Sequence, residues 1–196
     1  MSKPLNIWCV GRNYRDHAKE LNNPVPSSPL IFLKAGSCWS NTTEIHLPRW
    51  SNDIHHECEI AIKINDLGQP THVGLALDLT ARDAQAEAKK KGEPWTRAKS
   101  FTGSCPVSPM IPWDRVENFA DLELELKIND KTVQHGFAKD MIFDLETLIS
   151  SIKSTYPICD GDLILTGTPA GVGPLKSGDR LEGRLSHFLQ MSWFIA

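Results

Sequence analysis

A chain of 196 residues lies near the upper end of what one hydrophobic core can serve, so a single catalytic-sized domain spanning 1–196 is expected. The formal net charge of −3 gives no electrostatic reason to expect a nucleic-acid partner, and no apolar run approaches the ~18 residues of a membrane span, so neither partner is expected. Five cysteines with no CxxC pair, and no apolar leader in residues 1–16, exclude a disulfide framework and a secretory signal and read as cytoplasmic.

Residues 7–10 read as a strand ended by Gly11, and 14–21 as a short helix. Pro24, Pro26 and Pro29 then force a loop, because proline supports neither helix interior nor ladder. A short apolar strand is expected at 30–33. The clearest amphipathic strand is 56–64, with Cys58, Ile60, Ile62 and Ile64 on one face. Another strand follows at 74–79, then a helix at 80–91, with Thr80 as N-cap, Asp83 three residues on, and Gly92 and Pro94 as the stop. The rest is β-rich, with strands at 122–128, 163–165, 180–185 and 189–195 and a helix at 144–153. Asn129-Asp130 and Ser177-Gly178-Asp179 supply turns. The class is α+β with strands dominant.

On His55-His56-Glu57-Cys58-Glu59 a period of two sends Glu57 and Glu59 to one face, and Asp78 ends the next strand. Three carboxylates with no paired Cys or His describe a hard cation such as Mg²⁺ or Mn²⁺. The same spacing also describes an ordinary half-exposed strand with glutamates on its polar side. Zinc on His55, His56 and Cys58 is disfavoured, since nearly consecutive residues alternate in direction and cannot close a tetrahedron. His17 and Glu20 share a helix face, as a base and its orienting carboxylate would, or as a surface ion pair would. Arg82, Gln85 and Lys99 follow Asp78 and suit an anionic substrate; Arg82 equally suits a surface acid. Lys89-Lys90-Lys91 reads as a solvated helix end. The stretch from Thr166 to Pro174 is glycine-rich but lacks the GK[ST] ending of a phosphate loop, so nucleotide binding is rejected.

These segments, in this order, resemble the fumarylacetoacetate hydrolase family, especially its small acylpyruvase and oxaloacetate decarboxylase members. The matching stretches are Val10-Gly11-Arg12-Asn13-Tyr14 with His17 and Glu20, Ile31-Phe32-Leu33-Lys34, and His55-His56-Glu57-Cys58-Glu59. Leu77-Asp78-Leu79-Thr80-Ala81-Arg82-Asp83, Ala98-Lys99-Ser100-Phe101, Asp140-Met141-Ile142-Phe143 and Thr166-Gly167-Thr168-Pro169 continue the match.

The resemblance implies a mixed β-roll of the family's C-terminal-domain type with flanking helices, assembled as a homodimer. It implies Mg²⁺ or Mn²⁺ on Glu57, Glu59 and Asp78, and a water-activating dyad of His17 and Glu20 on a lid at 13–26. It also implies Lys99 as the electrophilic partner and Arg82, Gln85 and Thr168 as seats for a small 2-oxo acid. The expected reaction is carbon–carbon hydrolysis of an acylpyruvate through a metal-stabilised pyruvate enolate. Oxaloacetate decarboxylation, keto–enol tautomerisation or a related isomerisation at the same site, and a non-catalytic metal-binding protein, are the alternatives. One departure stands out: residues 65–72 are short where the family carries about one further helix, which puts the adjoining pocket wall in question.

Overall fold

The computed structural model describes residues 3–16 and 26–196. The strands begin with β1 (Asn6–Gly11), β2 (Leu30–Ala35), β3 (Trp39–Ser40), β4 (Glu44–Ile45) and β5 (Ile54–His56). They continue with β6 (Cys58–Ile64), β7 (Pro70–Leu77), β8 (Thr80–Ala81), β9 (Cys105–Pro106) and β10 (Ile111–Pro112). The second half adds β11 (Glu123–Ile128), β12 (Lys131–Phe137), β13 (Leu163–Leu165), β14 (Gly173–Pro174), β15 (Arg180–Leu185) and β16 (Leu189–Ile195). The α-helices are α1 (Arg82–Lys91), α2 (Thr96–Lys99) and α3 (Leu145–Thr155).

Two sheets carry the architecture. One runs β10-β7-β6-β13-β1-β2 and the other β12-β11-β15-β16-β4; a small third sheet, β14-β5-β8, stands beside them. The alternation of β6 explains its central place. Ile60, Ile62 and Ile64 enter the larger core with Leu75, Leu124, Leu126 and Trp193, while Ala61 enters a smaller core with Ile7, Cys9, Leu163 and Leu165. Fully burying each of these isoleucines contributes about 1.5–3 kcal/mol. Because both faces of β6 are covered, Glu59 is interior, and the half-exposed strand is excluded.

Four local readings change. The strand expected at 56–64 is broken at Glu57: β5 pairs with β8 and β14, whereas β6 pairs with β7 and β13. Glu57 is thus the corner at which the chain changes sheets. The helix expected from Thr80 starts at Arg82, because the Thr80 hydroxyl donates to the Asp78 carbonyl at 2.9 Å and the Arg82 amide donates to Asp53. Its stop is as read, with Gly92 left-handed at φ 69°. Strand β12 went unread because its inward positions include Gln134 and Gly136, which break the apolar alternation. Its turn, Asn129-Asp130, has φ of 49° and 65°, the doubly left-handed geometry that matches strand twist in a two-residue hairpin.

The fourth concerns β7, which starts at Pro70 rather than at 74, opposite Ile64. A proline at the first position of a strand removes little from the ladder. The tip between β6 and β7 is closed by the Asn65 side chain, whose Oδ1 accepts from the Leu67 and Gln69 amides at 3.0 and 2.8 Å. No helix among the described residues is long and apolar enough to cross a membrane. All five cysteines are free.

Candidate metal centre and substrate cavity

The hairpin of β6 and β7 brings the three carboxylates together. Cys58 pairs with Leu77, so Glu59 enters at the base of β6 while Asp78 lies one residue past β7. The Asp78 amide donates to the Glu57 carbonyl at 2.8 Å, fixing the corner residue against them. One ligand oxygen from each of Glu57, Glu59 and Asp78 falls within 4.8 Å of the others, and no residue of the three is more than 5% exposed.

Three buried like charges need compensation. The Lys99 ammonium donates to Glu57 Oε2 at 2.7 Å and to Asp78 Oδ2 at 2.5 Å. Arg82 donates through Nη2 to Glu57 Oε1 and through Nη1 to Gln85 Oε1 at 2.9 Å, so Arg82 and Gln85 do share a face turned to the site. Burial alone would lower the pKa of Lys99, but Asp78 and Glu57 outweigh it and raise it.

Lys34 approaches from beneath and is fully buried. Its Nζ lies 2.8 Å from Asp78 Oδ1. Its three protons, however, face four other oxygens: the carbonyls of Leu79, Lys99 and Ser104 and the Ser104 hydroxyl. Asp78 Oδ1 therefore feels the charge but receives no hydrogen bond.

Glu59 completes the set. Its Oε2 accepts from the Gly167 amide at 2.6 Å. Burial first, then Asp78 and Glu57, push its carboxyl pKa well up, against the pull of Lys99 and that amide. An all-oxygen trio with one orphaned oxygen and one carboxyl short of positive charge fits a hard divalent cation. The zinc set does not converge: His55 meets Asp53 at 2.9 Å, His56 meets Gln134 at 3.0 Å, and Cys58 is buried.

The glycine-rich stretch after β13 is part of this site. Gly167 sits at φ 99°, where a Cβ would come within 2.7 Å of Asn13 Cβ, and its amide serves Glu59. Thr168 lines the cavity and donates to the Cys58 carbonyl at 2.8 Å. Sequence reasoning missed its partner, Gln134. The Gln134 amide donates to Thr168 and Pro169, while its oxygen accepts from the Cys58 amide and faces His56. A polar residue pointing inward from a strand was the available signal.

His17 and Glu20 lie outside the described residues, as does most of the expected 13–26 lid. The first residues of that segment belong to the body. Asn13 is fully buried, donates to the carbonyls of Phe143 and Thr166 and accepts from the Phe143 amide, and Tyr14 forms a bridge with Met141. The lysine run is a solvated helix end, as read: Lys89, Lys90 and Lys91 are all exposed, and Lys89 in addition lines the cavity rim with Arg12 and Trp95. None of residues 65–72 lines the cavity.

Fold and site together define a known family. The family model for the fumarylacetoacetate (FAA) hydrolase C-terminal region matches residues 6–192, and the chain belongs to that family, with its β-rich α+β fold. The mitochondrial oxaloacetate tautomerase FAHD1 of Homo sapiens is 40% identical over 199 residues, covering 96% of this chain and 90% of that protein. The mitochondrial oxaloacetate decarboxylase of Dictyostelium discoideum is 44% identical over 188 residues, covering 90% and 86%. The fumarylpyruvate hydrolase of Pseudomonas aeruginosa, crystallised with Mn²⁺ and pyruvate, superposes with a TM-score of 0.92 at 26% identity, covering 98% and 90%.

Proposed function

We propose that this chain is a divalent-metal-dependent enzyme acting on a small 2-oxo acid, with oxaloacetate as substrate and keto–enol tautomerisation or decarboxylation as the reaction. The observation that carries it is the buried trio Glu57, Glu59 and Asp78 beside the Lys99 ammonium. Names of relatives at 40% and 44% identity point to oxaloacetate in particular. Mg²⁺ or Mn²⁺ held by the three carboxylates would supply Lewis acidity toward the carboxylate and 2-oxo oxygens of the substrate.

The remaining work falls to the chain itself. Lys99, buried and kept protonated by Asp78 and Glu57, meets negative charge as it develops on the 2-oxo oxygen. Arg82 and Gln85 hold Glu57 in place and present the neighbouring donors to the substrate carboxylate. Thr168, fixed by Cys58 and Gln134, shapes the far wall. Burial excludes water, which strengthens each of these interactions. In this reading residues 1–196 act as one catalytic domain within a homodimer, in the cytoplasm or the mitochondrion; five free cysteines suit either reducing compartment.

A second reading is hydrolysis of an acylpyruvate, favoured by the fumarylpyruvate hydrolase neighbour. It requires a water activated by His17 with Glu20 behind it, and that requirement separates the two reactions. Purified protein should turn over oxaloacetate with Mg²⁺ and stop with EDTA. His17→Ala should lower acetylpyruvate hydrolysis by about 10²–10⁴-fold while sparing more of the decarboxylation, which needs no attacking water. An equal loss of both activities in a folded, metal-loaded variant would make His17 a seat or latch rather than the base. Silence of the wild type on both substrates would leave a non-catalytic metal-binding protein.

A further inference from the structure

The carboxylates and Lys99 account for one end of a 2-oxo acid; the same cavity carries a second charged surface. Arg12, immediately after β1, and Lys89, in the last turn of α1, both line it. An aromatic pair links this surface to the first. Lys99 Nζ lies 5.0 Å from the Phe32 ring centroid, Phe32 meets Trp95 edge-on at 5.8 Å, and Lys89 Nζ lies 5.3 Å from the Trp95 centroid. Two ammonium groups are therefore set apart along one wall, one at the carboxylates and one at the rim. Arg12 reaches the cavity from a left-handed backbone, φ 59°, a conformation uncommon for a residue with a long side chain.

The charges do not balance around a neutral substrate tail. Among the described residues lining the cavity, three carboxylates face four cations, Arg12, Arg82, Lys89 and Lys99. A divalent cation on the carboxylates enlarges that excess. At the rim the imbalance is felt locally: partial burial, then Arg12 and Arg82, lower the pKa of Lys89 against the opposing pull of Glu57. Arg82 is held beside the carboxylate trio by Glu57 and Gln85, which leaves Arg12 and Lys89 as the rim's cations.

We infer that Arg12 and Lys89 form a subsite for a second carboxylate, so that the cavity selects dicarboxylic over monocarboxylic 2-oxo acids. The inference rests on the proposed reading of the cavity as a metal-dependent 2-oxo acid site. A charge-assisted contact at the rim adds affinity to the dianion alone and leaves the head group's contacts untouched.

Calorimetry on the Mg²⁺-loaded protein tests it with a matched pair, 2-oxoglutarate and 2-oxopentanoate, which differ by a carboxylate in place of a methyl group; pyruvate reports the head site. The wild type should bind 2-oxoglutarate at least about tenfold more tightly than 2-oxopentanoate. Lys89→Met should remove most of that preference and Arg12→Gln part of it, while Lys89→Arg restores it. Retained pyruvate binding shows that each variant is folded. Equal affinity for the pair in the wild type, a preference that survives in both neutral variants, or failure of both long acids where pyruvate binds, overturns the subsite and leaves the proposed function standing. A wild type that binds no pyruvate with Mg²⁺ overturns the 2-oxo acid reading and the subsite with it.

Discussion

On the five-stranded sheet, Arg184 spans Glu123 and Glu125 of the neighbouring strand at 3.2 and 3.0 Å, and His135 lies 2.7 Å from Glu123. Beside the six-stranded sheet, Lys34 and Lys99 meet Asp78 and Glu57 at similar distances. The groups and spacings are alike; the surroundings are not. Arg184 is 38% exposed, whereas Lys34 and Lys99 are 0% and 3% exposed. Water screens the first cluster, so each pair there is worth about 0.2–1 kcal/mol. In the second no water can replace a lost partner, and removing one member strands the rest. The surface cluster decorates a fold, while the buried one must be complete to exist.

The largest test of that contrast is Lys34→Met. It leaves Asp78 short of a cation, and urea unfolding should show a loss of about 3–5 kcal/mol. A loss under 1 kcal/mol would place the buried network on the same footing as the surface one. Next comes the trio's shortage of positive charge. Adding Mg²⁺ at about a hundred times its Kd should stabilise the protein by about 2.7 kcal/mol, read as a rise in melting temperature. Glu59→Gln should abolish most of that rise, and an undiminished rise would place the cation elsewhere.

The smallest effect belongs to Arg184→Ala, about 0.2–1 kcal/mol at neutral pH. His135 and then Arg184 hold the Glu123 carboxyl below its ordinary 4.5. A carboxyl with a lowered folded pKa stabilises the fold above the unfolded value and loses that contribution as pH falls through the folded one. The gap between wild type and Arg184→Ala should therefore be present at pH 7 and close below about pH 4.5. A gap that stays constant into acid would assign it to lost packing of the arginine stem.

The same contrast explains how much was legible in the sequence. Glu57, Glu59 and Asp78 could be read because the family resemblance singled them out; their spacing alone described an ordinary half-exposed strand as well. Their convergence was reached by a different route from the one expected. A corner at Glu57, not strand alternation alone, brings them together, and nothing in the residue types announces a change of sheet. Arg82 and Gln85 were placed correctly by helix spacing. Lys89 was hidden by its neighbours, since a lysine run at a helix end looks alike whether solvent or a cavity lies beyond it. Lys34 stood at the end of an apolar strand with no spacing to mark its descent into the core. Gln134 was missed because its strand was not read, and an inward polar residue is a signal only once the strand that carries it is known.

The tip of the β6–β7 hairpin has a consequence for how this family can vary. The three carboxylates lie at the hairpin's base and the Asn65 turn at its other end, about 20 Å away at strand rise. Chain added or removed at the tip leaves the register from Cys58 to Ile64 unchanged, and doubling a flexible loop costs only about 0.6 kcal/mol. Insertions and deletions can accumulate there over generations without passing through inactive ancestors. For the same reason the turn is the natural place to graft a fluorescent or affinity segment onto an otherwise working copy of the protein.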